Sequence, residues 1–193
     1  LPTNFSSKVV VPFAIETPAS KVNHLLEIDE IIYYHKVVKI DNLSCFSHLF
    51  LCFDGVDQIA DIYINKEKVF THIGGYTKFK VDIKKYVGNN SEFDLIVKVK
   101  DFTDSSFYSR GKQTLKPNNW FYTSSSGIYK SVYLVGLDDE YIEDIEYKTD
   151  FDKKEVSVLV KSNVNKEAKI IIENKEYICL TNQFITISLK DNF

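Results

Sequence analysis

Apolar and polar residues alternate with a period of two along most of the chain. Phe93, Leu95, Val97 and Val99 fall on one side of an extended segment and Asp94, Lys98 and Lys100 on the other, with Ile96 breaking the alternation. Successive side chains of a strand point to opposite faces, so this pattern predicts a strand with one face in a core. Similar short runs rich in Val, Ile, Tyr and Phe recur at residues 31–40, 48–53, 58–64, 129–135, 155–161, 169–173 and 184–189. Many short strands at such spacing predict an all-β sandwich. No helix-length window carries an apolar i, i+3, i+4, i+7 stripe, although residues 25–32 and 83–87 each suit a single helical turn.

The turn residues agree with this reading. Asn65-Lys66 separates two β-rich runs, Gly74-Gly75 offers positive φ where the chain reverses, and Gly88-Asn89-Asn90 precedes the strand near Phe93. One segment departs from it. Residues 101–127 show no clean alternation and end in Ser124-Ser125-Ser126-Gly127. Loops of this length inside a domain are usually functional or disordered, and Phe102, Phe107, Tyr108, Trp120, Phe121 and Tyr122 make this one too aromatic for a disordered linker.

An acidic break at Leu137-Asp138-Asp139-Glu140 is followed by lysine-rich strands without glycine or proline. A domain boundary is expected there, giving units 1–138 and 139–193. The second unit has the length expected for about half of an immunoglobulin-like sandwich, which takes roughly 100 residues.

Composition narrows the function classes. The 193 residues are 44% hydrophobic, enough for a core, and a net charge of -3 provides no field to gather nucleic acid or anionic lipid. Neither a nucleic-acid nor a membrane partner is expected, since no apolar run has membrane-spanning length. Cys45, Cys52 and Cys179 lie in apolar surroundings without metal-ligand spacing and read as small core residues. Unpaired cysteines and a start without signal-peptide character lead to the expectation of a cytoplasmic protein. His24, His35, His48 and His72 have no metal-site spacing, and neither a nucleophile elbow nor a phosphate or dinucleotide loop is present, so no metal and no cofactor is expected.

The run from Phe53 through Asp54-Gly55-Val56-Asp57-Gln58 to Asn65, followed by His72-Ile73-Gly74-Gly75-Tyr76-Thr77-Lys78-Phe79 and Asp82-Ile83, resembles the sugar-binding domain of glycoside hydrolase family 2. The similarity extends upstream to Val11-Pro12-Phe13-Ala14-Ile15-Glu16 and Tyr33-Tyr34. Downstream it continues through Arg110-Gly111-Lys112-Gln113, Trp120-Phe121-Tyr122-Thr123 and Ser126-Gly127-Ile128-Tyr129. The resemblance implies a jelly-roll sandwich followed by the first strands of an immunoglobulin-like domain. It also implies a downstream TIM barrel bearing the two catalytic carboxylates that retaining glycosidases need. No residue of this chain is therefore expected to be catalytic.

Four residues are candidates for substrate contact. Asp104 matches an aspartate that some β-galactosidases of the family bring to the substrate, and a carboxylate accepts hydrogen bonds from two adjacent sugar hydroxyls. Its structural alternative is to cap a turn or pair with Arg110 or Lys112. Arg110, with Lys112 and Gln113, suits a hydroxylated or anionic ligand, or equally a docking contact with the barrel. Trp120 and Tyr122 offer flat apolar faces to a sugar ring, or serve as a core plug or domain-interface anchor. Gly74, Gly75 and Tyr76 read as turn geometry, and His72 as a hydrogen-bonded structural residue.

The leading expectation is thus a non-catalytic portion of a retaining β-galactosidase- or β-glucuronidase-type enzyme, with a carbohydrate substrate and a barrel as partners. The alternatives are a stand-alone carbohydrate-binding module and an interface in a homo-oligomer.

Overall fold

The computed structural model describes residues 1–41 and 43–189, and it is all-β with short helical turns. The chain divides into two compact units, Leu1–Gly136 and Leu137–Phe193.

In the first unit, β1 (Ile32–Lys39), β7 (Glu92–Lys100), β4 (Ile59–Ile64) and β5 (Glu67–Ile73) form one sheet in the order β1-β7-β4-β5. A second sheet runs β6 (Phe79–Asp82), β2 (His48–Phe53), β9 (Val132–Leu137), and a two-stranded ladder joins β3 (Val56–Asp57) to β8 (Gly127–Ile128). β7 is central to its sheet, pairing antiparallel with β1 through Tyr34 and Val97 and with β4 through Ala60 and Val99. The alternating residues Phe93, Leu95, Val97 and Val99 meet Leu49, Leu51, Phe53, Ile62 and Ile64 in one core. Ile96 is buried as well, so the break in the alternation is apolar on both sides of the strand.

Residues 83–87 do contain a helical turn, α1 (Lys84–Val87), beginning where Asp82 accepts a hydrogen bond from Lys84 N at 3.0 Å. Residues 25–32 do not. Glu30 accepts a hydrogen bond from Glu27 N at 2.9 Å and contacts His24 Nε2 at 2.8 Å, which closes a turn, and Ile32 already belongs to β1. Cys52 and Cys179 are buried as expected, but Cys45 is exposed, because it sits in a short 3-10 turn between β1 and β2 rather than in a strand.

In the second unit, β10 (Ile142–Asp150), β11 (Glu155–Ser162) and β14 (Phe184–Ser188) form one sheet, and β12 (Glu167–Ile172) and β13 (Lys175–Leu180) form another. Val156, Val158, Val160, Cys179 and Ile187 make its core. Ile145 and Tyr147 pair directly with Val160 and Val158 and so share their face, yet both are exposed. The apolar face is covered over β11 and open over β10. The second unit is thus a small all-antiparallel β unit of two sheets among the described residues.

Candidate functional site

The loop from Asp101 to Ser126 folds over the β3–β8 ladder and is fastened to it by buried polar contacts. Gly127 opens β8 opposite Asp57 with φ +84, and a Cβ on it would lie 2.0 Å from the Tyr34 hydroxyl oxygen. That hydroxyl accepts a hydrogen bond from Ile128 N at 3.2 Å, and burial pushes its pKa up to about 12.

Three carboxylates fasten the loop, two at its ends and one near its middle. Asp101, 2% exposed at the end of β7, accepts Thr103 N at 2.6 Å and the Ser126 hydroxyl at 2.7 Å. Glu16 accepts Ser126 N through both oxygens, at 3.1 and 2.9 Å, and the Ser124 hydroxyl at 3.2 Å. Asp57, 3% exposed, accepts Gln113 Nε2 at 3.2 Å through Oδ2. Its Oδ1 is buried and has no hydrogen-bond partner among the described residues. Burial, the charges of Asp101 and Glu16, and a smaller opposing hydrogen bond from Gln113 bring its pKa up to about 7.

Gln113 is the link between this buried cluster and the outer loop. Its Oε1 accepts Ser125 N at 2.6 Å, and its Nε2 lies 3.3 Å from the Tyr76 hydroxyl. Beside it the backbone forms a short parallel bridge, with Tyr122 N donating to Lys112 O at 2.9 Å and Thr114 N donating to Tyr122 O at 3.0 Å. A turn closed by Phe121 N to Asn118 O, with Asn119 at φ +49, forms the tip.

The four candidate residues all lie on the outer part of this loop. Trp120 and Tyr122 are 68% and 66% exposed, so neither ring plugs the core, and Phe107, earlier in the same loop, is 91% exposed. Asp104 accepts a hydrogen bond from the Thr114 hydroxyl, and its Oδ2 lies 3.8 Å from Arg110 Nη1. The polar cluster read from the sequence therefore splits: Arg110 pairs with Asp104, and Gln113 turns inward to Asp57.

Gly74 has φ +114, as a turn requires, but Gly75 serves a different purpose. A Cβ at Gly75 would lie 2.3 Å from Asp57 Oδ1, so this position is needed for close approach rather than for positive φ. His72 contacts Gly74 O at 2.9 Å through Nε2 and stacks on Phe79 at 4.0 Å, and burial lowers its pKa and favours the neutral ring. Among the described residues no cluster of His, Cys, Asp and Glu is arranged for a metal ion, and no helix is long and apolar enough to cross a membrane.

Asp57, Asp101 and Glu16 were not candidates from sequence. The usable signal was Asp57-Gln58 standing inside an apolar run where inward positions are otherwise Val, Ala and Ile. Buried polar groups in such a place are kept for a bonded role.

The family model described as "Glycosyl hydrolases family 2, sugar binding domain" matches residues 5–138. A β-galactosidase of Thermoanaerobacter pseudethanolicus is 32% identical over 120 residues, which is 61% of this chain and 15% of that protein. A β-glucuronidase of Bacteroides fragilis is 31% identical over 100 residues, 51% of this chain and 13% of that protein. A solved β-glucuronidase of Lactobacillus rhamnosus superposes with a TM-score of 0.67 at 19% identity, covering 92% of this chain and 32% of that structure, which shows a shared fold. The chain thus spans about one seventh of the length of these curated relatives. It is a member of glycoside hydrolase family 2, which it matches through the sugar-binding domain found in those glycosidases.

Proposed function

We propose that this chain is a non-catalytic portion of a retaining glycosidase of the β-galactosidase or β-glucuronidase type. Its 101–126 loop borders the active-site mouth of a TIM barrel carried elsewhere in the enzyme. The observation that carries this reading is the outward display of Trp120 and Tyr122 on a loop whose base is fixed by buried hydrogen bonds. A preorganised loop with exposed aromatic faces suits either a sugar ring or a neighbouring domain, because little ordering entropy remains to be lost on contact. Asp104, already engaged by Thr114 and Arg110, would reach a sugar hydroxyl by exchanging one of those partners.

The chemistry of hydrolysis belongs to a carboxylate pair about 5 to 5.5 Å apart in retaining enzymes, which the resemblance assigns to the barrel. The purified chain should therefore release no chromophore from nitrophenyl galactosides or glucuronides. Turnover abolished by a point change within these residues would refute the reading. Calorimetry with galactosides, glucuronides and mannosides separates the stand-alone module: saturable binding lost in Trp120→Ala would support it, and no binding would favour the accessory role.

A further inference from the structure

β9 ends the second sheet, in the order β6-β2-β9, and β1 ends the first, so each leaves one backbone edge unpaired among the described residues. Between these two edges lies a cleft of about 600 Å³. Residues 131–134 line it in succession, and because successive side chains point to opposite faces, it is the edge of β9 that faces the cleft. Leu51, Phe53, Leu95 and Val97 line it too, and all four belong to the buried core, so the cleft opens between the sheets. The two edges differ in chemistry. β1 carries Lys36 on its core side, in register with Leu95, and an inward charge blunts an edge against pairing. β9 reads Val-Tyr-Leu-Val-Gly-Leu, with neither a charge nor a proline to guard its N–H and C=O groups. Lys36 lines the same cleft, is exposed, and forms no ion pair among the described residues.

We propose that β9 accepts an added strand from a partner polypeptide: an extended segment about as long as β9, with apolar side chains at alternate, inward positions and a carboxylate that reaches Lys36. The new ladder satisfies the open edge of β9, the apolar side chains fill the cleft, and the carboxylate answers the ammonium group. A second copy of this chain fits less well, because its own β9 has no acidic residue to offer Lys36. None of Asp104, Arg110, Trp120 and Tyr122 lines this cleft, so the proposal stands or falls apart from the glycosidase reading.

The probes are two acetylated, amidated heptapeptides in which threonine alternates with valine. One carries glutamate in place of its first valine and the other in place of its last, so that together they cover both strand directions. In calorimetry one of them should bind the 193-residue chain saturably. Amide hydrogen exchange across residues 132–136 should slow in its presence, while the β5 and β10 edges stay unchanged. Lys36→Glu should weaken that peptide by about five- to tenfold, the effect of reversing a partly exposed charge partner. Failure of both peptides to bind, slowed exchange confined to another edge, or equal affinity in Lys36→Glu would overturn the proposal. Binding of dodecanoate but of neither peptide would overturn it in favour of an apolar anion. Protection of β9 that grows with protein concentration without peptide would overturn it in favour of a second copy. The exchange measurement uses the unsubstituted chain, so it decides the matter should Lys36→Glu not fold.

Discussion

The Gln113 side-chain amide donates to Asp57 Oδ2 at 3.2 Å, fastening the outer loop to the short strand β3. Gln113 has the second carboxamide function needed to continue the chain of bonds, since its oxygen accepts Ser125 N. Gln113→Ala should therefore leave the global unfolding midpoint nearly unchanged and speed amide hydrogen exchange across residues 110–126. The expected local loss is about 1–3 kcal/mol, the cost of stranding a buried polar group. Gln113→Glu should open the loop further at pH 8 by adding a fourth negative charge.

Gly75→Ala tests the close approach. The added methyl would meet Asp57 Oδ1 at 2.3 Å, and Asp57 is held in the β3–β8 ladder opposite Gly127. Neither side can yield freely, so urea unfolding should show a loss of about 2–4 kcal/mol, the range for overpacking combined with a disturbed buried polar group. Gly88→Ala is the natural comparison, because a Cβ there meets nothing within 4 Å and only its φ of +63 is at stake.

Stability should fall as pH rises through neutrality. The folded pKa of Asp57 is about 7, above the ordinary 3.8, so the folded state binds its proton more tightly than the unfolded one. The resulting contribution is fully present below about pH 4 and is lost as pH passes about 7, with an upper bound of about 4 kcal/mol from 1.4 kcal/mol per pKa unit. Asp82 and Asp61 work in the opposite direction. Hydrogen bonds from His48 and from Lys68 hold their pKa values down against desolvation, so their contribution is lost only as pH falls below the carboxylate range. Chemical denaturation between pH 3 and 9 should show a maximum on the acid side of neutrality that flattens in Asp57→Asn.

Trp120→Ala and Tyr122→Ala should change the unfolding free energy by less than about 0.5 kcal/mol, because exposed side chains lose little by truncation. Phe53→Ala provides the contrast. Phe53 is fully buried and stacked on Phe79 at 4.7 Å, and its truncation should cost about 3–5 kcal/mol by the same measurement.

The sheet strands were legible where one face is apolar and the other charged. β7 announced itself in this way, β4 was legible as a short run of β-formers, and β2 appeared as a continuous apolar run with both faces covered. β10 was not legible, because Ile142–Asp150 carries acidic residues at most outward positions and its apolar Ile145 and Tyr147 are themselves exposed. The four loop candidates could be named from type and motif, but not their directions, since no periodicity runs through residues 101–126 to separate inside from outside. The role of Gly75 depends on an aspartate that only the tertiary fold brings beneath it, and no local pattern encodes that proximity.

The anchoring of the loop at its base has a consequence for exchanging sequence between relatives. Contacts from Gln113, Ser124 and Ser126 enter the body of the unit, while Lys116 to Phe121 stand outside them around a self-closed turn. A transplanted tip should be tolerated whenever glutamine 113 and the two serines travel with it into a recipient that supplies Glu16, Asp57, Gly75 and Asp101. The tip is thus a replaceable cassette, and the residues that determine compatibility lie in the socket.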